Sequence, residues 1–345
     1  MKTLAIAAAG FAASVLALPT AAHAADCDGL DRPVVFAGLD WDSVTFHNAV
    51  AGFMLEHGYG CEVDSIPGST IPLFNGMIRG DIDVTMEVWI PNIKDAWDKA
   101  TADGDVASVG VSFPDASQAW YVPRYLVEGE DAPAPDLKSV ADLPKYASLF
   151  QDPEDPDKGR FYNCILGWGC EVMNTKKLIA YGLDESFNNF RPGTGGALSS
   201  AIESALLRER PIVFYYWGPT WVLGKVGPDL IRLEEPAYDE ASWQVLADAD
   251  VDEVTTDTPA MAWPDTPADI GVNTEFQEQT PTLMEFFGNY GFTAAIVSES
   301  LNFMRENSAS AEEAAVEWLK SNEDTWTTWV PADAADRIKA ALASA

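Results

Sequence analysis

Near its start the chain alternates short apolar runs with stretches of helical spacing, a pattern with few folding solutions. RPVVFAGLDWDS predicts a strand from Val34 to Gly38, a turn, and a helix start with Asp42 or Ser43 as N-cap, since their side-chain oxygens can accept orphan backbone N–H groups. VTFHNAVAGFMLEHGYG then places Val44, Ala51, Phe53, Met54 and Leu55 on a helical period and stops at Gly58. CEVDSI predicts a second strand, PGSTIPLFNGMIRG a turn plus helix, and DIDVTMEVW a third strand. Strand, helix, strand, helix, strand is the mark of parallel α/β construction. Its crossovers bring the strand carboxyl ends to one edge, where open α/β sheets bind ligands.

A second α/β stretch runs from about Pro123 to Val226, with strands near FYNCIL and PIVFYYW and the connectors EDAPAPD and QDPEDPDKG. Beyond it come extended IRLEEP, an acidic loop from Asp248 to Thr258, and amphipathic helices in SAEEAAVEWLKSNEDTWTTWV and PADAADRIKAALASA. A length of 345 residues suits two domains of ordinary size. The expected division is a leader at 1–24, lobe one at 25–122 plus 227–345, and lobe two at 123–226, with a cleft between the lobes.

The leader has a basic Lys2, an apolar run from Leu4 to Leu18, and Ala22-His23-Ala24, the three parts of a secretory signal peptide cleaved near Ala24. The run is shorter than the roughly 20 residues a membrane span needs. Export favours disulfides. Four cysteines allow three pairings. Cys164 and Cys170 stand six positions apart and Cys27 and Cys61 both lie near the mature N-terminus, so Cys27–Cys61 and Cys164–Cys170 are expected. No C-x-x-C spacing supports a zinc site. With 21 basic against 54 acidic residues the net charge is −33, which repels nucleic acid and anionic lipid and attracts a cationic solute.

Of twelve tryptophans, several fall at the ends of expected strands. Trp41 follows the first, Trp89 closes the third, Trp120 ends DASQAW, and Trp217 ends PIVFYYW. Trp168 sits in the small loop that Cys164–Cys170 would close. Taken singly, each is more simply a packing residue. Together at one cleft edge they would form a cage for a methylated cation, because the ring faces are negative and a quaternary ammonium is cheap to desolvate. Trp97, Trp243, Trp263, Trp318, Trp326 and Trp329 read as packing residues.

SLFQDPEDPDKGRFYNCILGWGCE, followed about 45 residues later by PIVFYYWGPTWV, resembles the periplasmic glycine betaine/proline betaine-binding proteins of ABC importers. Weaker similarity extends to GDIDVTMEVWIP and WLKSNEDTWTTWV. The resemblance implies an α/β, two-lobed periplasmic-binding-protein fold with a hinge and an interlobe ligand cleft. It implies a monomer in the periplasm that delivers its ligand to an ABC permease transmembrane subunit, with no cofactor. It places the cage at Trp89, Trp168 and Trp217, adds Trp41 by likeness to choline-binding relatives, and leaves Trp120 as an extra wall. Backbone N–H groups of Gly169 and Cys170 would hold a ligand carboxylate.

The betaine binders carry a histidine shortly after the second cage tryptophan, whereas this chain has Trp89-Ile90-Pro91-Asn92-Ile93. Neutral donors such as Ser43, Ser69 or Thr70 would take its place. Glu171 would meet a hydroxyl-bearing or cationic head, or else serve only as a first-turn acid on its helix. Glycine betaine, choline, trimethylamine N-oxide and dimethylsulfoniopropionate all fit such a cage.

QDPEDPDKG gathers Asp152, Asp155 and Asp157 but lacks the full calcium-loop pattern, so no metal is expected there. No G-x-S-x-G, Walker A or H-E-x-x-H motif occurs, and GTGGALSS lacks the third glycine of a dinucleotide fingerprint. The chain therefore reads as a binding protein and not an enzyme. A sugar or amino-acid binder and a secreted carbohydrate hydrolase are the alternatives.

Overall fold

The computed structural model describes Cys27 and residues 30–345. The expected leader and its cleavage point near Ala24 lie outside the described residues. Among those described, no helix is long and apolar enough to cross a membrane.

The first half builds as its apolar alternation requires. Strand β1 (Val34–Leu39) leads into helix α1 (Asp42–Met54), β2 (Val63–Gly68) into α2 (Thr70–Ile78), and β3 (Val84–Val88) into α3 (Lys94–Asp103) after a short 3₁₀ turn. β1 pairs in parallel with both β2 and β3. All five residues of β3 are buried, as a central strand covered on both faces should be.

The link between the lobes is one long strand. β4 (Val106–Pro123) has 18 residues. Its first part, Val106 to Ala116, runs antiparallel to β9 (Thr266–Asn273), which itself lies antiparallel to β3. Three register shifts between Ser108 and Ala116 interrupt that ladder, and bulges of this kind bend and twist a strand. From Ser117 to Tyr121 the same strand pairs with β7 (Val213–Gly218). β7 continues in parallel into β5 (Gly159–Tyr162), which pairs with β6 (Phe187–Phe190), while β8 (Leu230–Arg232) lies on the outer end of β4. Two mixed α/β lobes thus share β4, with antiparallel pairing around it and the parallel strands β2-β1-β3 and β7-β5-β6 on either side.

Two local expectations are corrected. Helix α1 starts at Asp42, so Trp41 occupies the N-cap position and no side chain caps it. Trp120 does not end a strand: β4 runs through it to Pro123, and its ring is fully buried inside lobe two. Both expected disulfides are present, Cys27–Cys61 and Cys164–Cys170.

Candidate functional site

A cavity enclosing about 590 Å³ of empty space, its mouth included, lies where the carboxyl ends of β1, β3 and β7 face the start of helix α4 (Gly169–Ala180). Trp41, Trp89, Trp168 and Trp217 all line it. Trp41 and Trp168 meet edge-to-face with ring centroids 5.3 Å apart and planes at 70°, and Trp168 meets Trp217 at 5.3 Å and 83°. Trp168 is thus the hub, touching one ring from each lobe. Such edge-to-face stacking holds rings at fixed angles and leaves faces free to line a cavity. Trp89 is fixed from behind by Phe113, 5.9 Å away.

Local chain geometry aims these rings. Trp41 and Trp168 each occupy the N-cap position of a helix, in extended conformation. Trp217 is the penultimate residue of β7, and a cis Gly218–Pro219 bond follows. Gly169 and Cys170, the first residues of α4, also line the cavity. First-turn N–H groups have no acceptor within their own helix, and a helix N-terminus is electropositive.

The lobes touch tightly around this point. Trp168 Nε1 donates to Asp40 Oδ1 at 2.7 Å. The Ile71 N–H donates to the Gly167 carbonyl at 3.3 Å. A Cβ on Gly169 would stand 2.7 Å from the Asn92 carbonyl oxygen, so only glycine allows this approach of α4 to lobe one.

Beneath the rings lies a residue that the sequence reading passed over. Glu87 lines the cavity from β3 and is buried. Its Oε2 accepts the indole N–H of Trp41 at 2.8 Å and that of Trp89 at 3.1 Å, while Oε1 has no hydrogen-bond partner. Burial pushes this carboxyl up to about 7, against the hydrogen bonds that favour its charged form. His47 Nε2 lies 3.9 Å from Oε1, and burial holds that imidazole down at about 3 and therefore neutral. Its Nδ1 bonds the Tyr290 hydroxyl at 2.7 Å. The available signal was a glutamate in an expected strand whose other residues are Val84, Thr85, Met86 and Val88, two positions before Trp89.

Other anticipated residues fall elsewhere. Trp120 is outside the cavity lining: its N–H donates to Asn174 Oδ1 at 2.7 Å and its ring packs on Phe161 at 4.3 Å. Glu171 is also outside the lining, taken up by Arg191 and by the Thr175 hydroxyl. Thr70 lines the cavity, and Ser43 lines an adjoining recess behind Trp41, Trp168 and Trp217 that also holds Asp40, Asp42 and Arg305. Ser69 is in neither lining and lies close against Gly167. In the acidic turn, Asp152 is engaged by Arg160 and by Asn188, and Asn188 also reaches Asp155. Among the described residues no group of three or more His, Cys, Asp or Glu is placed to hold a metal.

Residues 32–321 match the family described as the substrate-binding domain of ABC-type glycine betaine transport systems. The chain is 24% identical over 264 residues to the glycine betaine/proline betaine-binding periplasmic protein of Escherichia coli K12, covering 74% of this chain and 76% of that one. It is 21% identical over 315 residues to the trimethylamine N-oxide-binding protein of Pelagibacter ubique, covering 91% and 95%. In three dimensions it resembles the glycine betaine/L-proline-binding protein of a Borrelia burgdorferi ABC transporter with a TM-score of 0.71, at 15% identity, covering 89% of this chain and all of that one.

Proposed function

The chain belongs to the family of substrate-binding domains of ABC-type glycine betaine transport systems, and from that premise we propose that Trp41, Trp89, Trp168 and Trp217 form its cage for a small methylated onium osmolyte. It is a binding component of a transport system, which sets it apart from the hydrolase and sugar-binder alternatives. The relatives bind glycine betaine, proline betaine or trimethylamine N-oxide by name.

The observation that carries the reading is the Trp41–Trp168–Trp217 corner, with Trp89 lining the same interlobe cavity. Methyl groups attached to a cationic centre are attracted to ring faces, each worth ~0.5–2 kcal/mol once desolvated. Ligands with a carboxylate would use the Gly169 and Cys170 N–H groups and Thr70, since no histidine follows Trp89. Rings from both lobes meet the same ligand, so binding stabilises the closed form over an open one. The lobe limits of 25–122 plus 227–345 and 123–226, with β4 as part of the hinge, suit that motion.

The protein would act as a periplasmic monomer after cleavage near Ala24 and deliver its ligand to an ABC permease. Titration calorimetry of the mature chain against glycine betaine, choline, trimethylamine N-oxide and dimethylsulfoniopropionate tests the reading. Micromolar or tighter binding of at least one is expected, and absence of heat with all four for folded protein would refute the cage.

A further inference from the structure

Glu87 is a carboxylate in the wall of an aromatic cavity with no cation of its own. The groups that face it are few. Trp41 and Trp89 donate to Oε2, and Ser43 approaches from the start of α1. His47 of α1 faces Oε1 with a neutral ring, and Tyr290 stands behind it. From β9, Asp269 pairs with Val88 and accepts the Ser108 hydroxyl instead. Among the described residues no lysine or arginine forms an ion pair with Glu87, and Oε1 and His47 Nε2 are both buried without hydrogen-bond partners.

We propose that Glu87 is the counter-charge to the ligand's onium group, so that the site prefers net cations of the choline type over ligands that bring their own carboxylate. This rests on the proposed cage. A buried charge without a partner is costly, and a permanent cation seated against Trp41 and Trp89 supplies that partner through the rings that already hold Oε2. A zwitterion such as glycine betaine supplies less, because its own carboxylate competes for the same onium. Binding and protonation are then linked. With the free carboxyl titrating at about 7, a cation entering at lower pH must displace the Glu87 proton to solvent. Cation affinity therefore rises with pH through this range and levels off above it, and binding at acidic pH releases up to one proton.

The test titrates choline, and its neutral isostere 3,3-dimethyl-1-butanol, into the mature protein and into Glu87→Gln between pH 5.5 and 8.5, in two buffers of different ionisation heat. The expected result is a choline affinity that increases about tenfold or more from pH 5.5 to 7.5 with proton release, and an isostere insensitive to pH. Glu87→Gln keeps an acceptor for the indoles and should bind choline about tenfold or more weakly at pH 7.5, with no pH slope. A pH-independent choline affinity in the unaltered protein, or an unchanged slope in Glu87→Gln, would overturn the proposal, as would tight binding of glycine betaine with none of choline. The unaltered protein alone decides the linkage if the variant does not fold. Failure of all the methylated ligands at every pH would instead remove the cage reading, and this inference with it.

Discussion

Trp168, carried by lobe two, donates its indole N–H to Asp40 Oδ1 of lobe one across 2.7 Å. The ring at the hub of the proposed cage is therefore also a fastener between the lobes. On the proposed cage, a ligand that orders Trp168 would favour the same hydrogen bond, so capture and closure would reinforce one another.

Asp40→Ala should weaken ligand binding by ~1–2 kcal/mol, the worth of a part-buried hydrogen bond to a charged acceptor. The ring contacts stay intact, so the effect is on closure. Calorimetry together with small-angle scattering checks it: the variant should need more ligand to reach the same compaction. Equal affinity in the variant would show that the contact carries no closing energy.

The two classes of tryptophan should separate cleanly. Trp168→Ala or Trp217→Ala should cost ~1–3 kcal/mol of affinity through lost cation–π contact and burial, with a smaller change in Tm. Trp120→Ala empties a fully buried site and orphans Asn174 Oδ1. It should cost ~3–5 kcal/mol of stability, seen as a lower midpoint in urea with ligand absent.

Gly169→Ala puts a methyl 2.7 Å from the Asn92 carbonyl oxygen and 2.9 Å from Ile93 Cγ2. The three nearest atoms to that methyl all belong to Asn92 and Ile93 of lobe one and none to the lobe that carries Gly169, so ligand-free Tm should stay near the unaltered value. Affinity should fall about tenfold or more, because α4 can no longer approach lobe one, roughly 1.4 kcal/mol or above. A variant that binds normally would mean that the closed form relaxes around the added methyl at little cost.

Acid should act on the protein through two buried groups of opposite effect, His47 and Glu87. Burial takes its imidazole from the ordinary 6.5 down to about 3. Between those values the unfolded chain takes up a proton that the folded chain refuses, so the His47 contribution to stability falls as pH falls below about 6.5, while that of Glu87, whose carboxyl is raised from 4.5 to about 7, grows over the same range. His47→Gln keeps a partner for the Tyr290 hydroxyl and removes the titration. The Tm of the variant relative to that of the unaltered protein should rise between pH 7.5 and 4.5, and a difference that stays constant with pH would show that His47 carries no acid sensitivity.

Much of the fold was legible because it is local. The alternation through DIDVTMEVW marks β1, α1, β2, α2 and β3 in order, with ends displaced by a few residues, since strand and helix periods are written in neighbouring side chains. The two disulfides were readable from spacing and compartment, and both are present. Four ring positions at the cavity were legible as tryptophans at the ends of expected strands or, for Trp168, in the loop that Cys164–Cys170 closes. Trp120 looked the same on paper but sits mid-strand, because β4 is longer than its apolar pattern suggests and pairs with β9 and then β7. Glu171 looked like a ligand group until Arg191, 20 positions away, claimed it.

The sequence alone thus determined the α/β construction, the covalent bridges and the supply of rings, all of which follow from short-range pattern. The tertiary structure alone decided which ring is the hub, which acid lies beneath the rings, and which glycine lets the helix approach Asn92 and Ile93. Those properties depend on burial and on partners far along the chain: 46 positions separate Trp41 from Glu87 and 128 separate Asp40 from Trp168. A carboxylate's charge and a ring's orientation are set by what packs against them, and packing is known only once the chain has folded.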